Sequence, residues 1–341
     1  LPVELTPLER TNRHLAGEPV DRAPNQNILM AFAARHIGST YDRLAQDYRV
    51  LVEGNLRACE AFGIDMVSAI SDPLREASAF GAPVVFPHDG VPMCPEPPLA
   101  AALDLDRLRP WDPWEAERPR DRLLAIQEYR RRVGGYYPIC GWVEGAAAEA
   151  ADLRGVSQFL EDTALEPEAA HELLEVCTEA AIRFAVAQVE AGADFVGIGD
   201  AVASLLSPRA YRAYALPYEQ RIIRAVHDAG GRVKLHICGN TSRHLPDMAT
   251  TGADIIDLDW MVDLAEGVRI LGGAAAVSGN MDPVAVMRDG APEEVAAAVR
   301  SCLAVGGERL IVSAGCEIPA DTPHENLLAH HRALVEAGGA A

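Results

Sequence analysis

EPEAAHELLEVCTEAAIRFAVAQVEAGADFVGIG, residues 166–199, holds one complete structural unit. Residues 166–191 are rich in Ala, Leu and Glu with apolar positions at helical spacing, which predicts a long amphipathic helix. Gly192 supplies the left-handed residue that ends such a helix. DFVGIG, 194–199, is then a short apolar run of strand type. Helix, glycine, buried strand is the repeat of a parallel α/β protein, and it recurs along the chain. Further runs of strand type stand at 26–30 (QNILM), 65–70 (DMVSAI), 137–142 (YPICGW), 232–238 (RVKLHIC), 254–259 (DIIDLD), 274–279 (AAAVSG) and 309–314 (RLIVSA). Helix-like stretches such as 292–304 lie between them, with starts marked by Ser207-Pro208 and Thr322-Pro323-His324-Glu325, and ends by Gly230, Gly252 and Gly306. Eight β/α units close a (β/α)8 barrel, so the expected fold is an α/β TIM barrel in one domain, residues 1–341. Residues 1–24 read as an N-terminal helical extension. Residues 88–120, with seven prolines, read as an insertion after the second strand.

The 341 residues carry 50 acidic and 30 basic side chains, a formal net charge of −20. That charge opposes phosphate backbones and anionic lipid, so neither nucleic acid nor a membrane surface is an expected partner. No uncharged apolar run reaches the ~18 residues of a membrane span, and LPVELTPLER has neither a basic nor an apolar export region, which points to the cytoplasm. Seven cysteines scattered through a chain of this size do not read as a disulfide framework. Cys59, Cys94, Cys140, Cys177 and Cys302 read as small core residues.

In a barrel the chemistry stands at the C-terminal ends of the strands. There KLHICGNT, 234–241, places His236 and Cys238 on one face of a strand, because alternate side chains share a face. Cys316, at the end of the last strand, can meet them across the mouth. Two thiols and one imidazole with a fourth position open are the ligand set of a catalytic zinc site. Asp200 and Asp259 end neighbouring strands and are candidates for a fourth ligand or for hydrogen bonding to substrate. Glu317, next to Cys316, is expected to point away from it. Trp142 can stack on a flat cofactor.

These motifs resemble the uroporphyrinogen decarboxylase superfamily, and within it the zinc-dependent, corrinoid-linked methyltransferases. TPLERTNRHLAGEPVDRAP is similar to the superfamily's entry into its first strand, GADFVGIGDAVASLLSPRAYRAYALPY to its fourth-strand segment, VSGNMDP to its seventh, and AGCEIPADTPHEN to its closing segment. The methyltransferase pattern His-x-Cys followed by a distant Gly-Cys falls on His236, Cys238 and Cys316. The decarboxylases carry a histidine at the last of these and an arginine-bearing first loop, where this chain reads NQNILMAFAARHIG with Arg35 alone. Asp72 stands where the decarboxylases keep their catalytic aspartate. Cobalamin-independent methionine synthases share the His-x-Cys and distant Cys, but the GN after Cys238 and the GNMDP segment fit the corrinoid branch better. The resemblance therefore implies a zinc enzyme moving a methyl group between a corrinoid (methylcobalamin, carried on a partner protein) and a small thiol or methoxylated substrate, with Trp142, Asn240 and Asn280 expected near the corrinoid. The rival readings are a metal-free tetrapyrrole decarboxylase working through Asp72 and a non-catalytic zinc- or corrin-binding protein.

Overall fold

The structure, a computed structural model, describes residues 4–307 and 309–339. Seven parallel strands form one sheet in sequential order: β1 Val67–Ser68, β2 Ile139–Glu144, β3 Phe195–Gly199, β4 Arg232–Ile237, β5 Ile255–Leu258, β6 Ala276–Met281 and β7 Leu310–Ala314. Every residue of β2, β3, β5 and β7 is buried, which is why these strands read as continuous apolar runs rather than alternating ones. The long helix Pro167–Ala191 ends at Gly192, whose φ of 116° is open to glycine, and leads straight into β3. Ser207 caps the helix Pro208–Tyr214 by accepting from Ala210 N. The final helix starts at His324 with Pro323 flanking it, so Thr322 does not serve as the expected cap. No helix of the described residues is long and apolar enough to cross a membrane.

The first expected strand is not a ladder strand. Residues 24–28 run between the two edges of the sheet and join them by single bonds: Asp65 N donates to Asn25 O at 2.7 Å, Val312 N to Pro24 O at 3.3 Å, and Ile318 N to Ile28 O at 2.9 Å. Pro24 has no N–H to give. Asn27 uses its side chain instead of its backbone, its Oδ1 accepting from Ala314 N at 2.7 Å while its Nδ2 donates to Asn25 Oδ1 at 2.8 Å. Such side-chain bonds divert the backbone from regular pairing.

At the N-terminal end of the sheet the helix Pro7–Leu15 closes the underside. Asp65, just before β1, receives Arg10 Nη1 at 2.7 Å and Arg22 Nη1 at 2.6 Å, and Arg10 also grips Asp21 at 2.6 Å. The proline-rich stretch is irregular apart from an antiparallel bridge of Met93 to Val85 and a single turn, Leu105–Arg107, and its last residues, from Glu117 on, already belong to the helix Glu117–Val133. Asp89 pairs with Arg35, and Trp111 packs on Phe80 and Phe184. The stretch lies along the flank and contributes nothing to the wall of the cavity described next.

Candidate metal centre

Strand register sets one row of side chains across the C-terminal end of the sheet: Glu144, Gly199, His236, Asp257 and Ser278 are successive partners on β2 to β6. His236 is thus placed beside Asp257, with Nδ1 3.4 Å from Asp257 Oδ2. Cys238 follows two residues later, and Cys316 two residues beyond β7. His236 Nε2 lies 3.0 Å from Cys238 Sγ and 3.8 Å from Cys316 Sγ, and the two sulfurs are 3.7 Å apart. Two Zn–S bonds of ~2.3 Å at the tetrahedral angle would hold their sulfurs about 3.8 Å apart. The three donor atoms therefore fit one face of a tetrahedral zinc site, and they form the one such cluster among the described residues.

The electrostatics suit a metal as well. Hydrogen bonding from Cys238 and His236 pushes the Cys316 thiol down to about 4, while sharing that charge pushes Cys238 up. Burial alone would raise the Asp257 carboxyl, yet Lys234 and His236 hold it at about 2. Asp257 is then an anion behind the imidazole, the partner that orients a metal-ligating histidine and fixes its tautomer. Lys234 Nζ sits 3.2 Å from Asp257 Oδ2. It is the only lysine in the sequence, against 29 arginines, and it is 2% exposed.

The loops that carry the cysteines are pinned from both sides. Asp259 Oδ2 accepts from Gly239 N at 2.8 Å and Oδ1 from Met261 N at 3.0 Å. A Cβ at Gly315 would stand 2.3 Å from Trp260 N, so only glycine lets the Cys316 loop approach the loop after β5. Asn280 Nδ2 donates to Asp259 O at 3.1 Å and to Val262 O at 2.6 Å, which fixes that same loop.

The triad opens into a cavity of about 210 Å³ at the mouth. Ile28, Met30, Ile70, Pro73, Trp142 and Ala201 form most of its wall, and Asp72, Glu144 and Glu317 are its acids. Larger hollows of about 380 and 400 Å³ lie on the outer flanks, around His14–Val20 and around Phe80 with Leu105, but neither contains a convergent ligand set. Trp142 lies across β3: a Cβ on Gly197 would sit 2.1 Å from its Cε3. Its ring centroid is 6.4 Å from that of His236.

The other expected residues are distributed unevenly. Asp72 reaches the cavity wall, but its carboxylate is held by Arg118 at 3.0 and 2.5 Å and by Ser71 Oγ at 2.8 Å. Although burial works to raise its pKa, Arg118 and Arg75 hold it below the ordinary value. Asp200 does not line the cavity. Its Oδ1 accepts from Ala148 N at 2.8 Å at the start of the helix Ala146–Arg154, and burial pushes its carboxyl up to about 7. Asn240 is exposed in the turn, accepting from Ser242 N at 3.1 Å, and neither it nor Asn280 lines the cavity. Cys59, Cys140, Cys177 and Cys302 are buried and unbridged, and Cys94 is half-buried.

Three contributors escaped the sequence reading. Asp257 rather than Asp259 stands beside His236, a matter of register that only strand pairing reveals. Lys234 shares the inward face of β4 with His236, and its period-two spacing was a usable signal. Glu317 faces the cavity together with Cys316, against expectation, because the chain has already left β7 and strand alternation no longer applies. Ala31 N donates to its Oε1 at 3.1 Å, and burial pushes its carboxyl up to about 7.

The family model described as uroporphyrinogen decarboxylase (URO-D) matches residues 6–337. The methylcobamide:CoM methyltransferase MtbA of Methanosarcina mazei is 30% identical over 339 residues, covering 95% of this chain and 96% of its own. A uroporphyrinogen decarboxylase of Gloeobacter violaceus is 34% identical over 246 residues, covering 70% of each. A solved structure of a methyltransferase from Methanosarcina mazei superposes with a TM-score of 0.90 at 27% identity, over 98% of this chain and 99% of that one.

Proposed function

The chain belongs to the uroporphyrinogen decarboxylase family, and from that premise we propose that it is a zinc-dependent methyltransferase working between a corrinoid and a small thiol or methoxylated substrate. The observation that carries this reading is the His236–Cys238–Cys316 triangle opening into the mouth cavity. His236, Cys238 and Cys316 would hold the metal, and Asp257, which also faces the buried Lys234, would keep the imidazole oriented. Zinc held there supplies a Lewis-acidic position beside two thiolates, where a substrate thiol loses its proton readily and stays nucleophilic. The apolar wall excludes water from the reacting sulfur, and Asp259 and Asn280 keep the ligand loops in place.

In the thiol direction a corrinoid presented there would supply the methyl group: the S–C bond would form as the Co–C bond broke, leaving the electron pair on cobalt as Co(I), with the thiol proton released. The opposite direction would pass a methyl from a methoxylated substrate to Co(I). A cavity of about 210 Å³ is below the ~300 Å³ of a drug-sized pocket, so the far larger corrinoid would be presented from outside, on a partner protein. Leu205, Trp260, Met261 and Val284 are exposed on the loops after β3, β5 and β6, and offer that carrier an apolar rim. We read residues 24–28 as the eighth stave that completes the barrel, and the cytoplasm as the place of action.

Against the decarboxylase reading, the Asp72 carboxylate is already engaged by Arg118, and among the described residues no lysine or arginine lines the cavity to receive a polycarboxylate. Zinc analysis with a spectroscopic assay of methylcobalamin decides the matter. About one zinc per chain and thiol-dependent appearance of Co(I), or methylation of Co(I) by a methoxylated compound, is expected. Metal-free protein with decarboxylase activity would overturn the proposal, and a zinc-loaded protein inert in both directions would leave only binding.

A further inference from the structure

The cavity wall also says which substrates can enter. Among the described residues, no lysine or arginine lines it. Lys234 lies beneath the ligands, paired with Asp257, and the two arginines behind the wall are already neutralised: Arg75 Nη2 by Glu144 at 2.9 Å, Arg118 by Asp72 at 2.5 Å. What faces the space is Ile28, Met30, Ile70, Pro73 and Trp142, with the carboxyl groups of Asp72, Glu144 and Glu317 and the His236–Cys238–Cys316 triad as the polar features. A fixed anion placed here would lose its water and gain no counter-charge, the costliest way to bury a polar group.

Resting on the methyltransferase reading above, we infer that the methyl-exchanging substrate is a small, uncharged, mainly apolar molecule, and that thiols bearing a fixed negative charge are rejected. This separates the chain from relatives whose names include coenzyme M, because 2-mercaptoethanesulfonate carries a permanent sulfonate. The discrimination works through the absence of a cation and the acidic wall, a device that selects by penalising the wrong partner.

The test compares three thiols of similar size on the zinc-loaded protein: 1-propanethiol, cysteamine and 2-mercaptoethanesulfonate. Binding is read by calorimetry and methyl transfer by Co(I) appearance from methylcobalamin. Expected is a kcat/KM and an affinity for 1-propanethiol about tenfold or more above those for the sulfonate. The variant Met30→Arg, which places a cation on the half-buried edge of the wall, should narrow that gap by about tenfold. Equal or better use of the sulfonate overturns the inference, a lead for cysteamine overturns the uncharged assignment, and an unchanged gap in Met30→Arg overturns its cause. If no thiol reacts, the thiol direction fails separately. The inference is then read from methyl transfer to Co(I), with anisole expected to exceed 4-methoxybenzoate and the reverse order overturning it.

Discussion

Replacing Asp257 by asparagine isolates the support behind the metal site. Its carboxylate serves two neighbours, Lys234 Nζ at 3.2 Å and His236 Nδ1 at 3.4 Å. At an effective dielectric near 20, unit charges 3.2 Å apart attract by about 5 kcal/mol before desolvation is counted, so the ammonium claims most of the carboxylate. Asparagine keeps the shape and one acceptor but removes the charge. Two consequences add: the imidazole becomes less basic, and a buried ammonium is left unpaired close to a doubly charged metal. Loss of such an outer partner lowers metal affinity by about 10- to 100-fold, or about 1.4 to 2.7 kcal/mol. Zinc affinity measured by competition with a chromophoric chelator should fall within that range, with the urea midpoint used to verify that the fold persists. Lys234→Met should act oppositely, leaving Asp257 undivided on His236 and the zinc affinity equal or higher. Asp257→Asn holding zinc within about threefold of the parent, or Lys234→Met losing zinc as severely as Asp257→Asn, would refute the reasoning.

Three other outcomes are expected. Zinc binding near neutral pH should release about two protons, one from His236 and one from Cys238, since Cys316 is already the thiolate; calorimetry in buffers of different ionisation enthalpy counts them, and a count near zero contradicts the assignment. Asp200, held near 7 by burial against about 3.9 when unfolded, binds a proton in the native state that the unfolded chain lacks, so its contribution to stability falls as pH rises from about 4 to 7, by up to about 1.4 kcal/mol per pH unit. Asp200→Asn should therefore gain stability relative to the parent between pH 5 and pH 8 in urea titrations without loss of zinc, and an equal difference at both pH values speaks against this. Gly197→Ala should cost about 1–3 kcal/mol, because its new methyl meets the Trp142 ring, and an undisturbed urea midpoint would show that the indole has room to move.

The alternation of helix and strand was legible because each buried strand is a short run bounded by helix-ending glycines, as with Gly192 before Phe195–Gly199. The ligand triad was legible for a related reason: His236 and Cys238 share a face by simple periodicity, and Cys316 ends the last run. What remained hidden depends on pairing between distant segments. Nothing local distinguishes Asp257 from Asp259, yet register gives one to the imidazole and the other to the Gly239 backbone. Residues 26–30 look like a strand by composition, and only the side chains of Asn25 and Asn27, the latter bonding across to Ala314, reveal why no ladder forms. Asp200 read as a candidate for the site because it ends a strand, whereas the neighbouring helix start claims its carboxylate.

The solitary lysine has a practical consequence. Every other basic side chain of the sequence apart from the histidines is an arginine, so these 341 residues offer acylating reagents and amine-directed cross-linkers no exposed ε-amine. Modification at Lys234 requires the interior to become accessible, and the rate at which that one ε-amine is labelled becomes a clock for opening events that reach the metal site.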